Sequence, residues 1–283
     1  ISMYTLLKKN NVFTFIIIFI LLVLFILYFY LFLNNDFKNK PLISIEKIEY
    51  DIYEFENFKK NKNFNIYDLP IIAHAGGGYN NLTYTNSIDS LNDNKDKYKL
   101  FELDFFLTND GKLVCAHDWS ENLKSFKKFE IYVNKKKNFK PCTYKSLIKW
   151  LISNPKKRIV TDFKNDNLSG LKFIAKNFDN FKEVFIPQIY NPKEYKIVKD
   201  MGYKDIIWTL YRYNGSNKKI IRYAKKMNLF AITMPKDRAQ SELPLDLKKE
   251  DIKSYVHTIN SMKEYFIYTS HFNIDQIYSD WIK

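Results

Sequence analysis

From residue 71 onward, short apolar runs of strand length alternate with longer amphipathic stretches. The strand candidates are residues 71–76, 100–108, 112–119, 158–164, 183–190, 205–211, 229–235, 254–260 and 276–282. Helical candidates between them are residues 144–152, 168–178, 192–201, 217–227 and the neighbourhood of 261–265. Repeated strand–helix units predict a parallel sheet. There is one more strand candidate than a closed eight-stranded barrel needs, so we expect one to form a hairpin or a closing segment.

The stretch at residues 12–33 is apolar on every side. It carries no charge, and Thr14 is its only polar residue that is not aromatic. As a helix it would span roughly 33 Å, which is enough to cross the hydrocarbon core of a membrane. A cleaved signal peptide is the alternative, but its apolar part is usually shorter and ends in small residues, whereas this one ends at Asn34. We therefore expect an uncleaved, single-pass transmembrane anchor.

Charged residues beside this stretch bear on its orientation. Lys8 and Lys9 precede it, which favours a cytoplasmic N-terminus and a catalytic domain on the extracytoplasmic side. Lys38 and Lys40 follow it and weaken that argument. The predicted organisation is a short tail at 1–11, the anchor at 12–33, a polar stalk at 34–69 and a barrel domain at 70–283.

The formal net charge is +14, from 45 basic and 31 acidic residues. Such a charge could indicate nucleic-acid binding. However, only four of the basic residues are arginine, and the lysines are scattered rather than grouped on one stripe. Lys, Asn, Ile, Phe and Tyr are all abundant, as an AT-rich coding sequence would make them. We therefore interpret the charge as a solvated basic surface and expect no nucleic-acid partner.

The two cysteines are Cys115 and Cys142. With no Cys-x-x-Cys, the sequence excludes a zinc ribbon and a thioredoxin-like motif. In an oxidising compartment the two could pair. We favour two buried thiols, because Cys115 lies in an apolar run where a small hydrophobic residue fits.

A histidine followed by three glycines ends the first strand candidate. His74 and Ala75 precede Gly76, Gly77 and Gly78, three of the seven glycines in the chain. Glycine allows backbone geometries and close ligand approach that other residues forbid. The pattern indicates a functional loop, and an ordinary turn with an incidental histidine is the alternative.

Two carboxylates lie on one face of the second strand candidate. Because strand side chains alternate, Glu102 and Asp104 point the same way, opposite an apolar face that includes Leu103. Burying both is costly unless a cation neutralises them, and a hard divalent metal prefers such ligands. A solvent-facing edge strand is the alternative, but the apolar opposite face argues against it. A tight turn at residues 109–111 then returns the chain toward His117.

The same alternation places Asp162 and Lys164 on one face of a later strand. On a barrel strand, this pair would supply another metal ligand and a phosphate-binding cation. A surface ion pair is the alternative.

Together these residues resemble the signature of the glycerophosphodiester phosphodiesterase family, which shares a superfamily with phosphatidylinositol-specific phospholipases C. The similar motifs are His74-Ala75-Gly76, Glu102-x-Asp104, Thr108-Asn109-Asp110-Gly111 and His117-Asp118. The resemblance covers roughly residues 71–283, with residues 256–260 and 278–280 similar to the closing strands of that family.

The resemblance implies a (β/α)₈ TIM barrel with its site at the carboxyl ends of the strands. It implies phosphodiester hydrolysis in which a neighbouring hydroxyl attacks phosphorus and water opens the resulting cyclic diester. The implied roles are a Ca²⁺ or Mg²⁺ ion held by Glu102, Asp104 and Asp162, acid–base catalysis by His74 and His117, and phosphate binding by Lys164.

Two departures from the family pattern leave the substrate open. Ala75 stands where the family usually has arginine, and Thr85 stands where it usually has glutamate. The Asp162-x-Lys164 pair is also similar to the sphingomyelinase D-like branch of the superfamily. A sphingomyelinase D-like phospholipase and a catalytically weak, membrane-anchored binding barrel therefore remain alternatives.

We expect a small-molecule or lipid-headgroup phosphodiester as substrate and the membrane as a further partner, and the sequence leaves the oligomeric state open. His257 and His271 are interpreted as structural or surface residues. Besides Lys164, the candidate substrate-binding residues are Gly76, Gly77, Trp119, Gln188 and Trp208, although aromatic packing explains the tryptophans equally well.

Overall fold

The computed structural model describes residues 69–117, 125–136 and 139–282, together with Tyr53. Within those residues, no helix combines the length and the apolar character needed to cross a membrane. The predicted tail and transmembrane anchor, and all of the predicted stalk except Tyr53 and Leu69, lie outside the described residues, as does Trp119.

Eight parallel strands close into a barrel. In order around the sheet they are β1 (Ile71–Ala73), β9 (Gln276–Ser279), β8 (Ser254–His257), β7 (Ala231–Pro235), β6 (Ile207–Thr209), β5 (Phe185–Ile189), β4 (Arg158–Phe163) and β2 (Leu100–Leu107). The ring closes because β1 pairs in parallel with both β2 and β9. The predicted (β/α)₈ barrel is therefore confirmed.

The ninth strand is the predicted hairpin. β3 (Leu113–Cys115) pairs antiparallel with the end of β2, with Phe105 opposite Cys115. The turn between them is closed by a 2.9 Å hydrogen bond from the Gly111 amide to the Thr108 carbonyl, and Gly111 has the positive φ that favours glycine. After β3, the Ala116 amide donates to the Asp104 carbonyl at 2.9 Å, so the chain leading to His117 stays beside β2.

Helices occupy most of the connections between strands. They are α1 (Ile88–Asn94), α2 (Phe126–Lys136), α3 (Tyr144–Ser153), α4 (Asn167–Asn177), α5 (Phe181–Val184), α6 (Glu194–Asp200), α7 (Asn217–Ala224), α8 (Lys236–Ala239), α9 (Leu243–Lys249) and α10 (Met262–Phe266). A short 3₁₀ turn follows β1 at His74–Gly76, and a π-helical turn follows α10 at Ile267–His271. All five predicted helices form, whereas α1, α2, α5, α8 and α9 were not predicted.

Strand alternation divides the apolar side chains into two layers. Ile72, Val160, Ile186, Ile207, Ala231, Tyr255 and Tyr278 form one cluster inside the barrel. Their neighbours in the strands, including Phe101, Leu103 and Phe163, face outward and pack in the larger core under the helices. Side chains on the inward face beyond the inner cluster are polar, and they build the site at the carboxyl ends of the strands.

Cys115 and Cys142 form a disulfide that links β3 to the segment entering α3. The Cys115 amide also donates to the Cys142 carbonyl at 2.9 Å. The expectation of two unpaired thiols is therefore wrong. The hydrophobic environment of the cysteines agrees with the prediction. Their pairing depends on which distant segments lie side by side in the fold, and the spacing of the cysteines in the sequence does not show that.

Candidate active site

Three carboxylates converge inside the mouth of the barrel. Ligand atoms from Glu102, Asp104 and Asp162 all lie within 4.8 Å of one another, and all three residues are buried. The first two come from alternate positions of β2, and the β2–β4 register places Asp104 directly beside Asp162. Strand alternation and parallel pairing thus produce the predicted cluster.

Asn86, in the loop before α1, holds one acidic residue of the cluster through two hydrogen bonds. The Asn86 side chain donates to the Asp104 carboxylate at 2.7 Å and accepts from the Asp104 amide at 2.9 Å. Glu102 is held differently, since one of its carboxylate oxygens accepts a 2.8 Å hydrogen bond from the Ala75 amide. The loop before α1 and the turn after β1 therefore each fix one carboxylate of β2.

Lys164 follows β4 and lies between two of the acids. Its Nζ is 2.6 Å from Asp104 Oδ1 and 2.7 Å from Asp162 Oδ2. Burial alone would lower the pKa of this lysine, but the adjacent carboxylates raise it well above its usual range. Lys164 is therefore a permanent cation in the acidic cluster.

Two tyrosine hydroxyls also donate hydrogen bonds to the Asp162 carboxylate. The Tyr190 hydroxyl donates to Asp162, and the Tyr211 hydroxyl donates to the same carboxylate at 2.9 Å. Burial acts to raise the pKa of Asp162, but Lys164 and the two hydroxyls outweigh it and hold the pKa below its usual range. Asp162 is thus ionised and fixed in orientation.

His74 stands beside the cluster at the end of β1. Its Nδ1 is 2.8 Å from Asp280 Oδ1, and its Nε2 is 4.0 Å from Glu102 Oε2. Burial acts to lower the pKa of His74, but the hydrogen bond to Asp280 and the charge of Glu102 raise it to about 9. Because a carboxylate can only accept, Asp280 places a proton on Nδ1 and leaves Nε2 directed toward the acidic cluster.

The two predicted catalytic histidines both contact the ring of one tyrosine. The Tyr84 ring centroid is 4.7 Å from the centroid of His74 and 4.3 Å from that of His117. His117 is exposed, whereas His74 is largely covered. The structure therefore brings both histidines to the same mouth, as predicted.

The glycine loop packs closely against α1. A Cβ on Gly76 would lie 2.6 Å from Ser90 Oγ, and one on Gly77 would lie 2.6 Å from Asn94 Nδ2, so only glycine fits at these positions. Asn94 in turn donates to the Gly78 carbonyl at 3.1 Å. The two glycines predicted to bind substrate thus allow the loop to approach the helix, which holds His74 and the Ala75 amide in place.

The remaining predicted residues occupy different environments. Gln188 lies on the inward face of β5, alternating with Ile189, which packs in the outer core. Trp208 is fully buried in the outer core and contacts the rings of Tyr213 and Tyr223 at 5.0 and 6.4 Å, so the structure does not bring it to the site. Trp208 does lie in a strand, as predicted, but a short apolar run does not show which face of the strand points into the barrel.

His257 ends β8 near the site. Its Nδ1 is 3.3 Å from Thr233 Oγ1, and its ring centroid is 6.0 Å from that of Tyr211. Burial and the positive charge of His74 lower the pKa of His257 to about 4, so it is neutral at ordinary pH.

The donor set fits a divalent cation. Glu102 Oε1 is buried and has no hydrogen-bond partner in the described part of the chain. Burial and the neighbouring Asp104 raise the pKa of Glu102, which a cation bound there would oppose. All-carboxylate oxygen ligands are the type that Ca²⁺ and Mg²⁺ prefer.

Sequence reasoning did not assign site roles to Asn86, Asp280, Tyr211 and Arg212. The signal for Asp280 was present, since a carboxylate directly follows an apolar strand, β9. Asn86 lies in the loop already compared with the family pattern. Arg212 lies beyond β6 with its Cζ 4.1 Å from the Tyr190 ring centroid, a contact between separate strands that no local pattern indicates.

No protein-family model matches this chain, and no curated protein matches it. Solved structures do. A glycerophosphodiester phosphodiesterase from Parabacteroides distasonis is 18% identical, with a TM-score of 0.59 over 75% of this chain and 92% of that one. One from Thermotoga maritima is 16% identical, with a TM-score of 0.57 over 75% of this chain and 94% of that one.

A phosphodiesterase from Oleispira antarctica, solved in complex with the product sn-glycerol-3-phosphate, is 15% identical. Its TM-score is 0.54 over 75% of this chain and 93% of that one. The chain therefore has the fold of glycerophosphodiester phosphodiesterases, in agreement with the resemblance of its motifs.

Proposed function

We propose that this chain is a metal-dependent phosphodiesterase acting on a glycerophosphodiester-like or phospholipid-headgroup substrate. The observation that carries the proposal is the buried set of Glu102, Asp104 and Asp162 within 4.8 Å, with His74 Nε2 4.0 Å from the nearest of these carboxylates. Lys164 offsets only part of the charge of these three buried acids and leaves Glu102 Oε1 without a partner among the described residues, so a further cation would be stabilising there. A titratable imidazole beside the acids suits proton transfer. The product-bound Oleispira neighbour supports a small phosphodiester substrate.

A divalent ion bound by these carboxylates would neutralise phosphate oxygens and orient the diester. The chain's own residues would supply the proton transfers. His74 and His117 would form the acid–base pair, one accepting the proton of an attacking hydroxyl and the other protonating the leaving oxygen. The attacking hydroxyl would belong to the substrate and give a cyclic phosphodiester, which water then opens with the proton roles reversed.

Lys164 would contribute to the same step by offsetting negative charge. Its ammonium contacts both Asp104 and Asp162, so it would be close to a phosphate bound at the acidic cluster. The same Asp162-x-Lys164 pair favours a second candidate, a sphingomyelinase D-like phospholipase acting on the lipid headgroup. The two candidates share a site and differ in substrate.

Activity measurements test the proposal. Purified protein would be assayed on glycerophosphocholine, lysophosphatidylcholine and sphingomyelin, first with EDTA and then with excess Ca²⁺ or Mg²⁺. We expect hydrolysis that EDTA abolishes and metal restores. Activity only on the two lipids would favour the phospholipase, and no hydrolysis of any substrate with either metal would favour the binding barrel.

We also propose that the barrel is held outside the cytoplasm by the apolar stretch at 12–33. The Cys115–Cys142 disulfide supports this placement, because disulfides persist mainly in oxidising compartments. Membrane fractionation with carbonate extraction tests the anchor, and protease treatment of intact cells tests the side. Release of the protein by carbonate would argue against an integral anchor.

A further inference from the structure

Arg212 lies just beyond β6, at the carboxyl ends of the strands where the acidic cluster lies. Its Cζ is 4.1 Å from the ring centroid of Tyr190 and 5.1 Å from that of Tyr211. The guanidinium is thus stacked against two aromatic rings, an arrangement that orients its planar set of donors.

Those rings are themselves fixed. The hydroxyls of both Tyr190 and Tyr211 donate to the buried Asp162 carboxylate. Asp162 therefore positions Arg212 indirectly, through two phenols, without an ion pair between the acid and the arginine. The guanidinium is held one aromatic ring away from the proposed metal ligands.

Among the described residues, Arg212 makes one hydrogen bond, a long contact of 3.5 Å from Nη2 to the Phe163 carbonyl, and its side chain is exposed. In the part of the chain that the structure describes, no carboxylate forms an ion pair with it. Lys164 differs, because two carboxylates already contact its ammonium. Arg212 is therefore available to an anion that enters the mouth.

On the basis of the proposed phosphodiesterase function, we propose that Arg212 binds a carboxylate that the substrate carries beyond its phosphodiester. A planar guanidinium with free N–H groups matches a carboxylate in two parallel hydrogen bonds. The enzyme would thus select headgroups bearing an acid.

Glycerophosphoserine and glycerophosphoethanolamine provide the test, since they differ only in the serine carboxylate. The measured quantity is the ratio of kcat/KM for the two diesters, in wild-type protein, Arg212→Met and Arg212→Lys. Arg222→Met is the matched control, because Arg222 also stacks on a tyrosine, 5.4 Å from the Tyr223 ring, but lies in α7.

We expect wild-type protein to favour glycerophosphoserine and Arg212→Met to reduce that preference by about tenfold or more, mainly through KM. Arg212→Lys should keep part of the preference because it keeps the charge, and Arg222→Met should leave it unchanged. An equal ratio in wild-type and Arg212→Met, or a wild-type preference for the ethanolamine diester, would overturn the inference.

Failure of the proposed function is distinguishable. If wild-type protein hydrolyses neither diester with Ca²⁺ or Mg²⁺, the enzymatic proposal fails, and equilibrium titration of the same two diesters still tests Arg212. Tighter binding of glycerophosphoserine that Arg212→Met removes would retain the carboxylate site. Equal affinities for the two diesters, in wild-type protein and in Arg212→Met, would overturn the proposed carboxylate site.

Discussion

His74 Nδ1 lies 2.8 Å from Asp280 Oδ1, although 206 positions separate the two residues along the chain. The other carboxylate oxygen of Asp280 accepts a 2.9 Å hydrogen bond from the Asn260 side chain. Asp280 is therefore held between an amide and an imidazole, and its role is to position His74. It selects which ring nitrogen of His74 faces the acidic cluster.

This relationship predicts the effect of Asp280→Asn. An amide can donate to Nδ1 and so favour the opposite tautomer, which places the proton on Nε2. We expect kcat to fall by about 10²-fold or more with little change in KM. Steady-state kinetics with Asp280→Glu as the conservative variant checks this. A purely structural role would instead lower the melting temperature and spare the kcat of the folded fraction.

Replacing either proposed catalytic histidine separates an enzyme from a binding protein. We expect His74→Ala and His117→Ala each to lower kcat by roughly 10²–10⁴-fold, because a positioned acid or base contributes that much. Metal affinity should stay nearly unchanged. His271→Ala is the control, because His271 follows α10 and makes an edge-to-face contact with Phe266, 6.2 Å between ring centroids. Unaltered turnover in His74→Ala would contradict the acid–base assignment.

Metal binding should depend on Asp104. Asp104→Asn removes a charge while preserving volume, so we expect the affinity for Ca²⁺ and Mg²⁺ to fall at least tenfold and activity to be lost. Isothermal titration measures the affinity. Asp93→Asn is the control, since Asp93 lies in α1, is exposed and pairs with Lys97 just beyond the helix. Equal metal affinity in Asp104→Asn and wild-type protein would exclude this carboxylate as a ligand.

The disulfide should contribute measurably to stability. Its cysteines are separated by 27 positions, and closing a loop of that length stabilises the folded state by roughly 3.5 kcal/mol in the chain-entropy description. The double variant Cys115→Ser, Cys142→Ser should lower the free energy of unfolding by about that amount in urea titrations. Thiol labelling of unreduced, denatured protein is the companion measurement, and two reactive thiols would show that the bond is absent.

The lowered pKa of His257 predicts that the folded protein loses stability in acid. Its pKa in the folded protein is lowered to about 4, by burial and by the charge of His74, from an ordinary 6.5. Between those values the unfolded chain binds a proton that the folded chain does not, so the free energy of unfolding falls as pH falls from about 6.5 toward 4. Denaturant titrations at several pH values, in EDTA, should show that the free energy of unfolding of His257→Gln falls less steeply with falling pH than that of wild-type protein. An identical slope in both proteins would contradict this.

The fold was predictable because each barrel strand appears in the sequence as a short apolar run. Each of the nine strands falls inside its predicted run, and the turn at Gly111 identified the hairpin. The missed helices have physical reasons. α1 is mostly polar and depends on a capping box in which Ser87 and Ser90 exchange hydrogen bonds, and α8 is a single turn of four residues. Neither leaves a hydrophobic period long enough to detect.

The site was predictable where its chemistry follows strand alternation. Glu102, Asp104 and Asp162 converge because two strands in register place them on one face. Contacts made between distant segments were not predictable. The Cys115–Cys142 bond and the stacking of Arg212 on Tyr190 each require knowledge of which loops meet in space.

The closure of the barrel by β9 sets an order of events during synthesis. β1 is made before every other strand of the barrel, yet one of its edges pairs with β9, the last of them. Until the ribosome has released β9, that edge stays open and His74 lacks the carboxylate that orients it. A nascent chain would therefore complete the proposed site in one late step, and stalled or prematurely terminated products lacking β9 would expose a β1 edge suited to aggregation.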